Sequence, residues 1–217
     1  MDQKKLDQQS QHWEKNFSSK PEMFGLDPSV AAIKALKIFK EKKISNIIEL
    51  GAGLVRDTIF FAKNSVVTQA FDYSPTAIKI IKKKALENKL SNFISTNIFD
   101  VRKKLPFEDN TIEACFSHML YCMAMSNSDL KNLNNEILRI LKPGGINIYT
   151  VRHIEDGDYK NGIHIGEDLY ENDGYIVHFF TYEKIKKISN GYDILSIDKF
   201  EEGSFPRKLY QVILKKI

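Results

Sequence analysis

Apolar positions along the chain follow two rhythms. Short continuous runs of β-branched and aromatic residues predict buried strands, and apolar residues three or four apart predict helices. Asp27-Pro28 offers a cap and a first-turn proline, after which Val30, Ile33, Leu36 and Phe39 share one helical face. Ile47-Ile48-Glu49-Leu50 predicts a buried strand that stops at a glycine, 57–63 a helix, and 66–71 a strand closed by Asp72. Ser74-Pro75 opens a helix carrying Ile78, Ile81 and Leu86. Residues 93–97 and 112–117 predict strands, with a loop at 106–110 between them. Leu130, Leu133, Ile137 and Leu141 mark a helix ending at Lys142-Pro143-Gly144-Gly145, and 146–151 follows as a strand. Residues 181–190 predict a short helix, and 194–200 and 210–214 two closing strands joined near Gly203. Strands alternating with helices imply an α/β domain whose mainly parallel sheet is covered on both faces. Residues 152–180 are polar, rich in Gly, Asp and His, and fit no regular element.

Composition narrows the class. A chain of 217 residues with 42% hydrophobic residues, 14 Phe and 9 Tyr can build one core. The net charge of +4 is a weak excess, not the concentrated basic stripe of a nucleic-acid enzyme. Lys82-Lys83-Lys84 reads as a solvated helix face. The two cysteines, Cys115 and Cys122, form no disulfide framework and no metal spacing, so no metal is expected. They suit a reducing cytoplasm, and Cys115 reads as a buried hydrophobe. Residues 1–20 lack the apolar stretch of a signal peptide, and no run is long enough to span a membrane. The expectation is a cytoplasmic monomer or homodimer.

The sharpest chemical signal is Glu49-Leu50-Gly51-Ala52-Gly53-Leu54-Val55-Arg56-Asp57. A strand runs into Gly-x-Gly and then into a helix. The glycines permit a tight turn and close approach of a ligand to the backbone. Asp72 ends the next strand, where an acid can accept from ribose hydroxyls. A dinucleotide fingerprint wants glycine at the sixth position, and Arg56 stands there, which argues against NAD or FAD.

From Ile44 onward the chain resembles the class I methyltransferases that use S-adenosylmethionine. Glu49-Leu50-Gly51-Ala52-Gly53 looks like their first motif, and Asp72-Tyr73-Ser74-Pro75 like their ribose-binding strand end. Asp100 followed by Leu105-Pro106-Phe107 resembles their adenine-side acid and the loop before strand four. Ile112–Ser117 matches that strand, and Leu141-Lys142-Pro143-Gly144-Gly145 the turn before strand five. Gly53-Leu54-Val55-Arg56-Asp57 and the small size are similar to the tellurite-resistance and thiol-methyltransferase branch. The resemblance implies a Rossmann-like sheet of seven strands, the last antiparallel. It divides the chain into an N-terminal helical segment at 1–43 and a methyltransferase domain at 44–217. It also implies cofactor contacts at Glu49, Gly51, Ala52, Gly53, Asp72, Tyr73 and Ser74, with Ile98, Phe99 and Asp100 around the adenine and Ser117 near the methionine end. Val55 departs from the pattern, since the family often has a third glycine there. At a left-handed φ, valine would be strained.

Methyl transfer from a sulfonium asks for in-line alignment, plus a base if the acceptor is a hydroxyl or an ammonium. His118 and Tyr121 follow strand four, where the methyl usually points. His153 and His164 lie in the irregular 152–180 segment, on the side where this superfamily commonly places substrate-recognition insertions. These four are the candidate catalytic residues. His164 with Glu167 has the alternative role of holding the loop to itself, and His178, between Val177 and Phe179, reads as structural. Trp13 and Phe17 are spaced for one helix face that could close over the cofactor or simply dock on the core. The function expected is methylation of a small-molecule acceptor. The alternatives are an RNA or protein methyltransferase and a non-catalytic S-adenosylmethionine-binding protein. No Asn-Pro-Pro-Tyr or Pro-Cys motif supports amide, base-amine or cytosine methylation.

Overall fold

The computed structural model describes residues 3–203 and 207–217. In chain order the elements are α1 Gln3–Ser19, α2 Val30–Glu41, β1 Asn46–Leu50, α3 Arg56–Lys63, β2 Val67–Asp72, α4 Pro75–Glu87, β3 Ile94–Ile98 and β4 Ile112–Ser117. They continue as α5 Asn127–Ile140, β5 Leu141–Arg152, β6 Ile163–Gly166, β7 Leu169–Asn172, β8 Tyr175–His178, α6 Tyr182–Ile188, β9 Tyr192–Glu202 and β10 Arg207–Lys216. Seven strands form one sheet in the order β3-β2-β1-β4-β5-β10-β9. The first five are parallel, and β10 runs antiparallel to both β5 and β9. Strand order reverses between β1 and β4, and ligands of open α/β sheets bind at such a switch, outside the carboxyl ends of the strands. Among the described residues no helix is long and apolar enough to cross a membrane.

Local chemistry sets the helix starts. The Ser74 hydroxyl accepts from the Ala77 N–H, and Pro75 occupies the first turn of α4. Ser126 and Asp129 form a reciprocal capping box on α5. For α2 the cap is Ser29, not Asp27. The buried face also differs in part: Ala31, Ala32, Ala35, Leu36 and Phe39 are inside, while Val30 and Ile33 stand in solvent. Leu86 is likewise exposed, and Ala85 takes its place in the core. The small alanine face lets α2 lie close to the sheet, where the Gln211 amide bonds the Ala31 carbonyl at 3.0 Å. Cys115 and His178 are fully buried, and His178 Nδ1 bonds the Met125 carbonyl at 2.7 Å.

Residues 152–180 are not irregular. They hold a three-stranded antiparallel sheet, β6-β7-β8. Asn172 pairs with Tyr175 across a two-residue Asp173-Gly174 turn, and both turn residues have positive φ, 50° and 83°. That is the dipeptide and geometry of a tight hairpin. The strands are only four residues each, too short to give a readable alternation.

Candidate active site

The carboxyl ends of β1, β2 and β4, with the loop after β3, surround a cavity with about 950 Å³ of empty space, counting its open mouth. Its floor is the loop from Gly51 to Gly53. Gly51 has φ +67°, which strains any residue with a side chain, and a Cβ there would stand 2.9 Å from Leu120 Cδ1, so Leu120 would have to shift as well. The loop is bonded to the neighbouring strand. The N–H groups of Gly51 and Ala52 donate to the Phe71 carbonyl at 2.8 and 3.1 Å.

Three buried carboxylates face this cavity. Asp72 Oδ2 accepts from the Gly53 N–H and Oδ1 from the Ser74 N–H, each at 2.9 Å, so one side chain ties both loops together. Burial outweighs these bonds and pushes its pKa up to about 6. Glu49 accepts from the Thr58 hydroxyl at 2.6 Å. Burial first, and then the charge of Asp57, hold its carboxyl well above the usual range. Asp57, in the first turn of α3, accepts from the Ser29 N–H and hydroxyl at 2.7 and 2.8 Å, and burial raises it too.

The roof comes from the N-terminal segment. Trp13, Phe17 and Phe24 line the cavity, with ring centroids 5.4 Å apart for Trp13–Phe17 and 6.4 Å for Phe17–Phe24. Polar contacts anchor α1 on two sides. The Glu14 carboxylate accepts from the Ser74 and Thr76 hydroxyls at the start of α4. On the other side Gln9 bonds the Gly174 carbonyl at 2.9 Å and the Ile176 N–H at 3.2 Å, and Lys5 pairs with Glu171 at 2.9 Å.

At the β4 end, His118 lines the cavity. Its Nδ1 lies 3.1 Å from the Thr150 hydroxyl, which accepts from the Met119 N–H at 2.8 Å. Burial and the nearby Arg56 charge push the imidazole pKa down to about 3, so the ring is neutral. Arg56 also lines the cavity and donates to Glu202 Oε1 at 2.7 Å.

Of the residues expected from the sequence, Glu49, Gly51, Ala52, Gly53, Asp72, Tyr73, Phe99 and His118 line this cavity. Asp100 lines a smaller one beside it, which shares Trp13 and Tyr73. Its carboxyl lies below the usual range: burial opposes this, but bonds from Arg102 prevail. Ser74, Ile98 and Ser117 line neither cavity. Ser74 caps α4, Ile98 points to solvent, and Ser117 is buried in the sheet.

Three candidate catalytic residues lie elsewhere. Tyr121 is fully buried, stacked on Tyr149 at 4.1 Å and 3.3 Å from Asn134 Oδ1. His153 is buried against Tyr210, and its Nδ1 accepts from the Glu155 N–H at 3.1 Å. His164 is exposed, bonded to the Glu167 carbonyl at 2.9 Å. No residue of 152–180 lines either cavity, because the small sheet braces α1 from outside. The Val55 side chain also points away, into a cluster with Ala62, Ala70 and Ile78. Arg56, Thr150 and Glu202 are the groups that sequence reasoning passed over. Arg56 was visible in the first motif, but only as the glycine it replaces.

Residues 48–149 match a family model described as a methyltransferase domain. No curated protein is similar to the chain in sequence. Solved structures share its fold. The N-methyltransferase NodS of Bradyrhizobium japonicum, in complex with S-adenosylhomocysteine, superposes with a TM-score of 0.72 at 13% identity, covering 95% of this chain and 97% of that one. The 1,6-didemethyltoxoflavin-N1-methyltransferase of Burkholderia thailandensis gives 0.68 at 13% identity, covering 96% and 84%. TehB of Haemophilus influenzae gives 0.67 at 14% identity, covering 94% and 67%. The likeness to TehB is of the same order as the others and singles out no branch. Residues 48–149 are therefore similar to a methyltransferase domain, and the chain shares the Rossmann-like fold of these structures.

The residues that line the cavity fit S-adenosylmethionine, the cofactor that the sequence resemblance implies. It carries a ribose diol and two positive centres. Asp72 has used two of about four lone-pair sites, which leaves acceptors for the diol. Glu49 and Asp57 supply buried acids for the positive end.

Proposed function

We propose that this chain transfers a methyl group from S-adenosylmethionine to a small-molecule acceptor. The observation that carries the reading is the trio of buried acids, Glu49, Asp57 and Asp72, facing one aromatic-roofed cavity at the switch point of the sheet. Buried carboxylates held above their usual pKa are unfavourable without a ligand, and a cationic ligand with a diol relieves them. In this reading Asp72 holds the ribose, Tyr73, Phe99 and Asp100 border the adenine, and Gly51–Gly53 lets the cofactor lie against the backbone. The bound cofactor supplies an activated methyl on a sulfonium. The protein aligns the acceptor with it and excludes water. Trp13 and Phe17 serve as that cover, with α1 as a lid held by Glu14 on one side and by Gln9 and Lys5 on the other. A roofed cavity and the absence of a basic stripe favour a small acceptor over RNA.

Titration with S-adenosylmethionine tests the reading, followed by detection of S-adenosylhomocysteine formed in the presence of pooled small acceptors. Wild type should bind. Asp72→Ala should lose about 1–3 kcal/mol of affinity, and Gly51→Val should abolish binding with the far-ultraviolet spectrum retained. Unchanged affinity in Asp72→Ala would mean that the ribose lies elsewhere. Binding without turnover would favour a non-catalytic cofactor-binding protein.

A further inference from the structure

The three rings of the roof form one cluster. Trp13 and Phe17 come from α1, and Phe24 from the turn that follows it. Their centroids stand 5.4 Å apart for Trp13–Phe17 and 6.4 Å apart for both Trp13–Phe24 and Phe17–Phe24. All three line the cavity. Phe17 lies over the glycine loop after β1: a Cβ on Gly53 would stand 3.8 Å from Phe17 Cζ. The same cavity is lined by the buried acids Glu49, Asp57 and Asp72.

An aromatic face carries partial negative charge and attracts a cation within about 6 Å of its centroid. Rings this close together can share one cation. A neutral ligand of the same shape gains the apolar contact and not this attraction. The acids favour a cation too, but they sit on the main sheet and on α3. The rings ride on a segment held at its margins, by Glu14 on Ser74 and Thr76, and by Gln9 and Lys5 on the small sheet. The buried apolar partners of Phe17 are Leu54 and Ala77 alone, and Phe24 is 40% exposed. An attraction that comes and goes with the ligand charge therefore changes how firmly this segment is held.

We propose that Trp13, Phe17 and Phe24 make the roof a charge sensor, which closes on cationic S-adenosylmethionine and loosens on neutral S-adenosylhomocysteine. This rests on the methyltransferase reading above and adds to it a discrimination between cofactor and product. In the transfer the methyl carbon leaves sulfur and bonds the lone pair of the acceptor, while the S–C pair stays on sulfur. The sulfonium becomes a neutral thioether. The amino-acid end carries the same charges before and after, so cofactor and product differ in charge at the sulfur alone. The attraction to the rings ends with the reaction, and the product is held with one contribution fewer.

Trp13 is the single tryptophan of the chain, so its fluorescence reports on the roof directly. The full chain is titrated with S-adenosylmethionine, with S-adenosylhomocysteine, and with sinefungin, an analogue that carries an ammonium in place of the sulfonium. Both cations should bind at least about fivefold tighter than S-adenosylhomocysteine and shield Trp13 better from acrylamide quenching. Phe24→Leu, at a half-exposed position that spares folding, should reduce this advantage. Phe17→Leu combined with Phe24→Leu should bring it to about twofold or less, with S-adenosylhomocysteine affinity unchanged, because leucine keeps apolar contact and lacks the ring. S-adenosylhomocysteine binding as tightly as the two cations, or shielding Trp13 equally, would overturn the proposal and leave the cofactor reading standing. An advantage that survives undiminished in both variants would assign the discrimination to the acids and overturn it as well. Binding of none of the three ligands would overturn the cofactor reading and this proposal together.

Discussion

Val55 begins α3 with φ +83° and ψ −17°. This is the left-handed region, which a β-branched residue avoids because its Cβ substituents crowd the backbone. Its side chain is buried beside Ala62, Ala70 and Ile78. Two effects therefore oppose each other when it is shortened. Removing the side chain loses about 0.8 kcal/mol per buried carbon, or about 2.4 kcal/mol for all three. Releasing the left-handed strain returns about 1–3 kcal/mol. The comparison of Val55→Ala with Val55→Gly isolates the strain. At an ordinary buried site the step from alanine to glycine costs about 1.5 kcal/mol, from one lost carbon and the greater freedom of unfolded glycine. Here alanine still carries the left-handed cost of about 1–2 kcal/mol and glycine does not, so the two variants should be equally stable.

Urea unfolding of the two variants at constant m gives the difference directly. If Val55→Gly were less stable than Val55→Ala by about 1.5 kcal/mol, the normal order, then no strain would be stored at this position and the reasoning would fail. Affinity for S-adenosylmethionine supplies a second check. The side chain points away from the cavity, so both variants should bind as wild type does. A large loss in either would show that Val55 holds the Gly51–Gly53 loop in its binding shape.

Asp72 titrates near 6 in the folded protein against 3.8 ordinarily, so its contribution to folding is complete below about 3.8 and is lost as pH rises through 6. The ribose contact wants the ionised form, so cofactor affinity should fall as pH drops below 6. Binding at pH 6 should release protons, measured calorimetrically in two buffers of different ionisation enthalpy; zero release would contradict the assignment. Glu14→Ala removes the clamp on the start of α4 and should cost about 1–2 kcal/mol, with faster hydrogen exchange confined to α1 and a faster cofactor off-rate. An exchange increase spread over the sheet would show that α1 is part of the core rather than a lid. His164→Ala should leave cofactor affinity and turnover at wild-type levels, because the ring is exposed and bonded only to its own loop. A tenfold loss of turnover would return the 152–180 segment to the acceptor site.

What could be read from the chain depended on whether a local pattern fixed the answer. β1, α3 and β2 were legible because strand, Gly-x-Gly, helix and terminal acid lie within 30 contiguous residues, and each implies the next. The α2 face was misread by periodicity alone. Leu36 and Phe39 are buried as the spacing predicts, but the tight approach to the sheet selects Ala31, Ala32 and Ala35 in place of Val30 and Ile33. In 152–180 the strands are too short for alternation to register, and only Asp173-Gly174 announced a hairpin. The histidines drew attention by chemical type. Their burial or self-bonding, which removes His153 and His164 from the cavity, depends on tertiary contacts that no spacing encodes.

The two ends of the cavity are encoded differently, and this explains why one was legible and the other was not. One is built from the loops that follow consecutive strands, so its residues keep a fixed order and spacing. The other is built where the end of β4 meets the end of β9, and an ion pair there joins Arg56 to a residue 146 positions away. Arg56 by itself at the start of α3 suggests a site for an anion, because a guanidinium and the positive end of a helix coincide there. Glu202 reverses that reading. It pairs with the guanidinium through one oxygen and buries the other, so the Arg56 charge is neutralised within the protein rather than left for an anion.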